Sequence, residues 1–282
     1  MLRGGKNAQD FTPKSDFDPN FAFLKEKHTA VRLYLSIDSP QPYVDLTKPI
    51  DISLPLSNGP GGVNCFHAPE FKAEPYVSGD FVGSVKAGAP VNFFNVSLNP
   101  HGNGTHTECM GHISAEMYSI NACLTRFHFM ARLWSVVPEV LPNGDQVVTA
   151  ASLAAVDRFN PVEALVLRTL PNDQGKRRRR YSGTNPPYFE PEAMEMIVQW
   201  GVRHLLVDLP SVDREEDGGA LAAHKAFWQY PGGKRLDCTI TELIYVPDEI
   251  EDGLYFLNLQ IASFELDASP SKPILYRIGT SK

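Results

Sequence analysis

Two near-continuous apolar runs constrain this chain most. ALVLRTL (164–170) and HLLVDL (204–209) are too short for stable helices and show almost no polar face, so each reads as a buried strand. Between them Pro191 opens a helix, PEAMEMIVQW, and Gly201 closes it. In IDISLPL (50–56), Ile50, Ile52 and Leu54 alternate with Asp51, Ser53 and Pro55, a period of two that predicts a further strand. VNFFNVSLN (91–99), CTITELIYVP (238–247), LYFLNLQIASFEL (254–266) and PILYRIG (273–279) are strand-like as well. SLAAVDRF (152–159), opening on a Ser suited to an N-cap, and ALAAHKAFWQ (220–229) predict short helices. Residues 63–90 are rich in Gly, Pro and aromatics and predict a long loop with short strands, and PNGD (142–145) predicts a turn. No internal repeat or linker interrupts the pattern. The expectation is a loose arm over residues 1–28 and one domain over 29–282.

Composition narrows the function classes. Acidic residues number 33 against 26 basic ones, a formal charge of −7. That balance disfavours nucleic acid and anionic membranes as partners. The run KRRRR (176–180) lacks interleaved aromatics and reads as a solvated loop. No stretch of 18 apolar residues is present, and the first residues show no apolar signal core. The four cysteines, Cys65, Cys109, Cys123 and Cys238, have no C-x-x-C spacing. They read as free buried thiols in a reducing, cytoplasmic setting.

One short segment concentrates the chemistry. HGNGTHTECMGH (101–112) holds His101, His106, Glu108 and His112. On an extended chain, residues two apart share a side, so His106 and Glu108 project together. An imidazole beside a carboxylate can hold a divalent cation. His112 lies four residues beyond Glu108, where a turn could bring its ring near such an ion without making it a ligand. Glu242 shares a strand side with Ile240 and Ile244, and a carboxylate on an apolar face needs a partner, either a metal or an Arg. Asp208, Ser211 and Asp213 end a strand and read as turn and cap residues or as substrate contacts. Phe66, Phe71, Tyr76, Phe81, Phe93 and Phe94 could line an aryl pocket or pack in the core.

GTHTECMGH resembles the signature of the cyclase-type metal-dependent hydrolases that include bacterial kynurenine formamidase, which runs His-x3-His-x-Asp-x3-His. Gly104, Thr105, His106 and His112 fall in place. Glu108 stands where that family has Asp, and Gly102 where it has the first His, with His101 one position early. The order of the later segments agrees, through AAHKAFWQ and CTITEL. The resemblance implies an α/β, β-rich, barrel-like β/β/α cyclase (swivelling) fold with a few outer helices, assembled as a homo-oligomer, a dimer or tetramer. It implies one or two divalent metals per chain, zinc or manganese. Carried over by position, His101, His106 and Glu108 would hold one ion; Glu108, His224 and Glu242 a second. Asn103 is the substitute if His101 does not reach. His112 would be the general acid/base, since an ordinary imidazole pKa of about 6.5 suits proton return to a leaving amine.

A divalent cation lowers the pKa of bound water toward ~7 and polarises a carbonyl, which suits amide hydrolysis without a serine nucleophile. The activity implied is that of an arylformamidase acting on a small N-formyl aryl amine, as in tryptophan catabolism. Two alternatives stay open: ring opening of a cyclic amide or lactone (or cyclisation), and a non-catalytic metal- or small-molecule-binding descendant.

Overall fold

The computed structural model describes residues 30–35, 41–59, 61–156 and 162–280; the expected N-terminal arm, 1–28, lies outside them. The two apolar runs form adjacent parallel strands, Ala164–Thr169 and His204–Val207, in register from Ala164 opposite His204 to Leu167 opposite Val207. Parallel neighbours need a crossover. Helix Pro191–Gln199 supplies it, ending where Gly201 takes φ +79°. Helix Ala222–Trp228 then leads to a third parallel strand, Thr239–Glu242.

On the other flank His128–Val136 runs parallel to Ala164–Thr169, and Gly253–Ile261 and Ala268–Thr280 follow antiparallel. Strand His106–Glu108 pairs with Thr239–Glu242 on one side and with residues 268–270 on the other. This short strand closes seven strands into a barrel. The fold is α/β and β-rich, with helices outside the barrel.

Alternation along the strands divides the core. Leu165, Leu167, Leu205, Val207 and Ile240 pack outward against both helices, whereas Ala131, Leu133, Val166 and Leu206 form a separate inner cluster. Glu242 lies on the Ile240 side, toward the helices. The expected alternation through Ile244 fails, because Leu243 takes φ +55° and Ile244 turns into the inner cluster.

Three further expectations change. Residues 152–156 of the 152–159 segment form turns rather than a helix, and Thr149 Oγ1, not Ser152, accepts the capping N–H; the rest of that segment lies outside the described residues. Ile50–Asp51 alone pairs as a strand, although Ile52 and Leu54 are buried as the alternation requires. KRRRR is not simply a solvated run. Lys176 is buried, and its ammonium donates to Asp208 Oδ2 (2.8 Å) and to the carbonyl of Thr169 (2.6 Å). Arg180 pairs with Glu70, and the Arg177 guanidinium lies 5.5 Å from the centre of the Tyr245 ring. The basic run fastens loops that the fold would otherwise leave loose.

His204 supplies a pH-dependent element of stability. Its Nδ1 lies 2.9 Å from Thr239 Oγ1 and its ring packs 4.0 Å from Phe129, so burial, aided by Arg203 and Arg126, pushes it down to about 3. The unfolded chain takes up this proton near 6.5 and the folded chain does not until about 3. Its contribution to stability is therefore complete above pH 6.5 and is lost as pH falls toward 3, by up to about 1.4 kcal/mol per pH unit. His204→Gln is expected to flatten the acid limb of the stability curve by one proton, read from urea midpoints between pH 7 and pH 4. Identical slopes in the two proteins would remove His204 from the acid response.

Candidate metal centre

The cluster builds up from backbone geometry. His106 and Glu108 stand two apart on one strand, and Glu242 lies directly opposite His106 in the antiparallel pair. Their hydroxyl neighbours, Thr107 and Thr241, hydrogen-bond each other across the same pair at 2.7 Å. His101 arrives from a helical turn, Pro100–Asn103, capped by the side chain of Asn99. That turn accounts for the one-residue offset. A Cβ at Gly102 would sit 2.2 Å from Ala68 Cβ, so no side chain fits there, and His101 swings in instead. Asn103 is not a substitute donor at the cluster: its amide donates to the carbonyl of Pro69 and its oxygen accepts from the Asn99 N–H. His224 descends from the helix above. His112 lies on the following 3-10 turn, 30% exposed at the rim.

All six residues singled out from the sequence converge. His101 Nδ1 lies 3.2 Å from Glu108 Oε2, His106 Nε2 is 3.3 Å from Glu242 Oε2, and His224 Nε2 is 3.0 Å from Glu108 Oε1 and 3.9 Å from Glu242 Oε1. His112 stacks on His101, ring centroids 4.3 Å apart, with Nε2 3.8 Å from Glu108 Oε2. Among the described residues, two sets of donor atoms lie within 4.8 Å of one another: His101, Glu108 and His112, and His106, Glu108 and Glu242. Glu108 belongs to both, as a bridging carboxylate would. The partition differs from the one the resemblance implies, because His106 faces Glu242 across the ladder and His101 comes from the opposite side.

The donor chemistry fits a cation. His106 Nδ1 lies 3.0 Å from the carbonyl oxygen of Gly104, which can only accept, so Nδ1 carries the proton and Nε2 presents a lone pair to Glu242. Asp213 likewise accepts the Nδ1–H of His224 at 2.5 Å, leaving the His224 Nε2 lone pair aimed at Glu108. Two lone-pair nitrogens directed at buried carboxylates need a positive charge between them, a proton or a metal ion. His106 Nε2 and Glu108 Oε2 are buried without a hydrogen bond of good geometry, as expected of metal donors. Without an ion the rings of His224 and His101 take the proton. Burial opposes the charged form of His224, but Asp213 and Glu108 outweigh it and push its pKa up to about 10. Burial likewise opposes the charge on His101, which Asp267 and Glu108 push up to about 10. Glu108 is held well below the usual carboxylate range: its burial works the other way, but His112, His101 and His224 prevail.

Two carboxylates carry more than their sequence context shows. Asp213 accepts the N–H groups of Ala223 (2.8 Å) and His224 (3.1 Å), capping the helix as expected of a turn residue, and also fixes the His224 ring. Asp267 was missed. Its Oδ2 sits 2.9 Å from His101 Nε2 and 3.2 Å from His112 Nδ1, joining the two rings. It follows FEL at a strand turn, with no local pattern to mark it. Asp208 is occupied by Lys176 and Thr169, and the Ser211 hydroxyl accepts the Asp213 N–H. The Arg alternative for Glu242 fails, since its partners are His106, His224 and the Val212 N–H. Cys109 does not suit a nucleophile. Contact with Cys123 and burial raise its pKa far above the usual thiol value, and it donates to the Tyr118 carbonyl.

Beside the centre at Asp213, Phe66, Tyr181, Pro186 and Pro210 wall a crevice too narrow to admit even a water molecule. Of the aromatics singled out from the sequence, Phe66 alone lines it; Phe81, Phe93 and Phe94 are exposed elsewhere.

A closed mixed barrel with a bridging carboxylate among imidazoles beneath an outer helix defines a class, that of barrel proteins built around a candidate divalent-metal centre. Within that class the chain belongs to the Cyclase family: the family model, described as "Putative cyclase", matches residues 44–214. The matched span includes His101, His106, Glu108, His112 and Asp213. Among solved structures the chain is similar to a potential metal-dependent hydrolase with cyclase activity, at 14% identity over 81% of this chain and 97% of that one, with a TM-score of 0.59. It is similar to an isatin hydrolase bound to the product analogue thioisatinate, at 17% identity over 82% and 92% of the two chains, with a TM-score of 0.58. It is also similar to isatin hydrolase A of Labrenzia aggregata bound to benzyl benzoate, at 14% identity over 81% and 93%, with a TM-score of 0.59. At these identities the likeness establishes the fold.

Proposed function

We propose that this chain is a metal-dependent hydrolase that cleaves the carbon–nitrogen bond of a small aryl amide. The observation that carries the reading is the pair of lone-pair nitrogens, His106 Nε2 and His224 Nε2, aimed at the buried carboxylates Glu242 and Glu108. Imidazole and carboxylate donors without thiolate suit zinc or manganese. Such an ion supplies a water of lowered pKa and polarises the scissile carbonyl. His101, His106, Glu108, His224 and Glu242 would hold it, with Glu108 shared where two ions bind. The Gly104 carbonyl and Asp213 fix the rings of His106 and His224 in the ligating tautomer. His112, half-buried at the rim, exchanges protons with solvent and delivers one to the leaving nitrogen. Asp267 holds its Nδ1, so Nε2 is the atom that acts. The four free cysteines fit a reducing, cytoplasmic compartment.

Two substrate shapes fit this reading. An N-formyl aryl amine, as for an arylformamidase, is the one favoured by the motif. A cyclic aryl amide opened at its C–N bond is favoured by the similarity to isatin hydrolases. Elemental analysis of the purified protein, paired with turnover of formyl-aryl amides, isatin-like rings and lactones, tests the proposal. The expected result is zinc or manganese at one to two per chain and hydrolysis of one aryl amide class. Metal-free protein that stays inert after loading with either ion would sink it.

A further inference from the structure

Two thiols lie beside the metal centre, and neither belongs to it. Cys109 follows Glu108 directly and is fully buried. Its N–H donates to the Asp267 carbonyl at 3.0 Å and its thiol to the Tyr118 carbonyl at 3.3 Å. Cys123 closes the short helix Ile120–Cys123, whose first N–H donates to the Leu266 carbonyl at 2.7 Å. Both residues therefore hang from one stretch, 266–267. Their side chains meet in the inner cluster, where the Cys109 thiol donates to the Cys123 sulfur. The other two cysteines are buried with oxygen partners instead. Cys65 donates to the His101 carbonyl at 3.3 Å, and Cys238 lies 3.6 Å from Asp237 Oδ1. Burial pushes Cys238 up to about 11 and Cys65 higher still.

Of the four, Cys123 alone is half-exposed. It lines a recess shared with Arg126, Phe129, Arg203 and Asp237, with a volume of about 20 Å³. That is room for one molecule of roughly the size of water. Arg203 pairs with Asp237, yet its Nε–H is buried without an acceptor. An open sulfur, a space of this size and an unanswered donor beside it suit a small oxygen compound that accepts a hydrogen bond and reacts with thiols. Hydrogen peroxide has all three properties. The hydrogen bond from Cys109 lowers the Cys123 thiol below its ordinary value, against burial and Asp237, which makes Cys123 the readier nucleophile of the pair.

We infer that Cys123 and Cys109 form a dithiol site for hydrogen peroxide, Cys123 being the sulfur oxidised first and Cys109 the one that resolves it to a disulfide. The Cys123 sulfur takes one peroxide oxygen. An S–O bond forms, the O–O bond breaks, and the thiol proton leaves with the other oxygen as water. Cys109 keeps its proton in the reduced protein because it donates it to Cys123, and that tie ends once Cys123 carries oxygen. The Cys109 sulfur then attacks Cys123. An S–S bond forms, the S–O bond breaks, and the departing hydroxyl leaves with the Cys109 proton as a second water. The two thiols have lost two electrons and two protons, and one peroxide has become two waters. In a reducing compartment thiol exchange reverses such a link. The disulfide takes the Cys109 sulfur off the Tyr118 carbonyl and draws the adjoining backbone, Glu108 included, toward the helix. The centre then loses the carboxylate that both donor sets share. This last consequence rests on the metal reading; the cross-link itself does not.

Peptide mapping without reductant, on the full chain treated with stoichiometric hydrogen peroxide, tests it. The expected product joins the peptides of Cys109 and Cys123, two hydrogens lighter than their sum, with Cys65 and Cys238 still alkylated as thiols. Dithiothreitol is expected to undo it. Cys109→Ala is expected to stop at a sulfenic acid on Cys123, trapped by dimedone, and Cys123→Ser to leave every thiol unoxidised. Arg203→Lys keeps a charge opposite Asp237 and removes the Nε donor, and is expected to slow the oxidation about fivefold, the worth of one hydrogen bond. Four surviving thiols overturn the inference, as does a link through Cys65 or Cys238, or an oxidation rate unchanged in Arg203→Lys. Metal content of the linked protein is expected to fall at least about tenfold, as after loss of a ligand's geometry, and to recover on reduction and reloading. A linked protein that keeps its metal overturns the coupling to Glu108. A chain that forms the link yet binds no metal in either state bears out the dithiol and sinks the hydrolase reading alone.

Discussion

Glu108→Gln is expected to strip the protein of its metal and to lower kcat/KM by at least about 10³-fold, about 4 kcal/mol of transition-state stabilisation. Glu108 is fully buried and shared by both donor sets. The amide keeps the volume but removes the charge, and its NH2 group would face an imidazole or the place of the ion. The charge balance of the pocket shifts as well. His101 and His224 lose a carboxylate that favours their protonated forms. Metal content after gel filtration, read beside the circular dichroism spectrum, separates loss of the ion from loss of the fold. A folded variant with its full complement of metal would exclude Glu108 as a ligand.

His112→Ala is expected to behave differently, keeping the metal and losing about 10² to 10⁴-fold in kcat, with KM changed little. Its ring is at the rim, its Nε2 is the donor farthest from Glu108 among the imidazoles in contact with it, and Asp267 holds its other nitrogen. A group that delivers a proton to the leaving amine is used in the transition state and not in ground-state binding, so the loss should fall on kcat. Unchanged turnover in His112→Ala would take the residue out of the mechanism. Loss of metal together with activity would instead place His112 within the ligand set it shares with His101 and Glu108.

The parts of the site carried on regular elements were legible in the sequence. The two-residue spacing placed His106 and Glu108 on one side, and the apolar companions of Glu242 signalled a carboxylate that needs a partner. Long apolar runs likewise marked the parallel strands. What escaped depends on contacts between distant segments. Asp267 acts through rings more than 150 residues earlier, and nothing in its own neighbourhood reports that. Lys176 was hidden by its neighbours: four arginines follow it, yet it alone turns inward, because Asp208 is fully buried and must be answered. Over the described residues 152–156, the expected helix gave way to turns beside the Thr149 cap. The positive φ at Leu243 could not be anticipated from a residue that rarely adopts it. Phe93 and Phe94 read as core or pocket residues, yet both lie exposed, since composition cannot tell an aromatic kept for the interior from one left at the surface.

The three-residue strand His106–Glu108 is the stave that shuts the barrel, hydrogen-bonded to a different strand along each edge. Two donors of the centre therefore ride on the seam of the fold. A cation seated there would rivet that seam, so loading should raise the melting temperature, by an increment that grows with free ion concentration. A chelator should then work as a mild denaturant, loosening first the place where the wall meets itself.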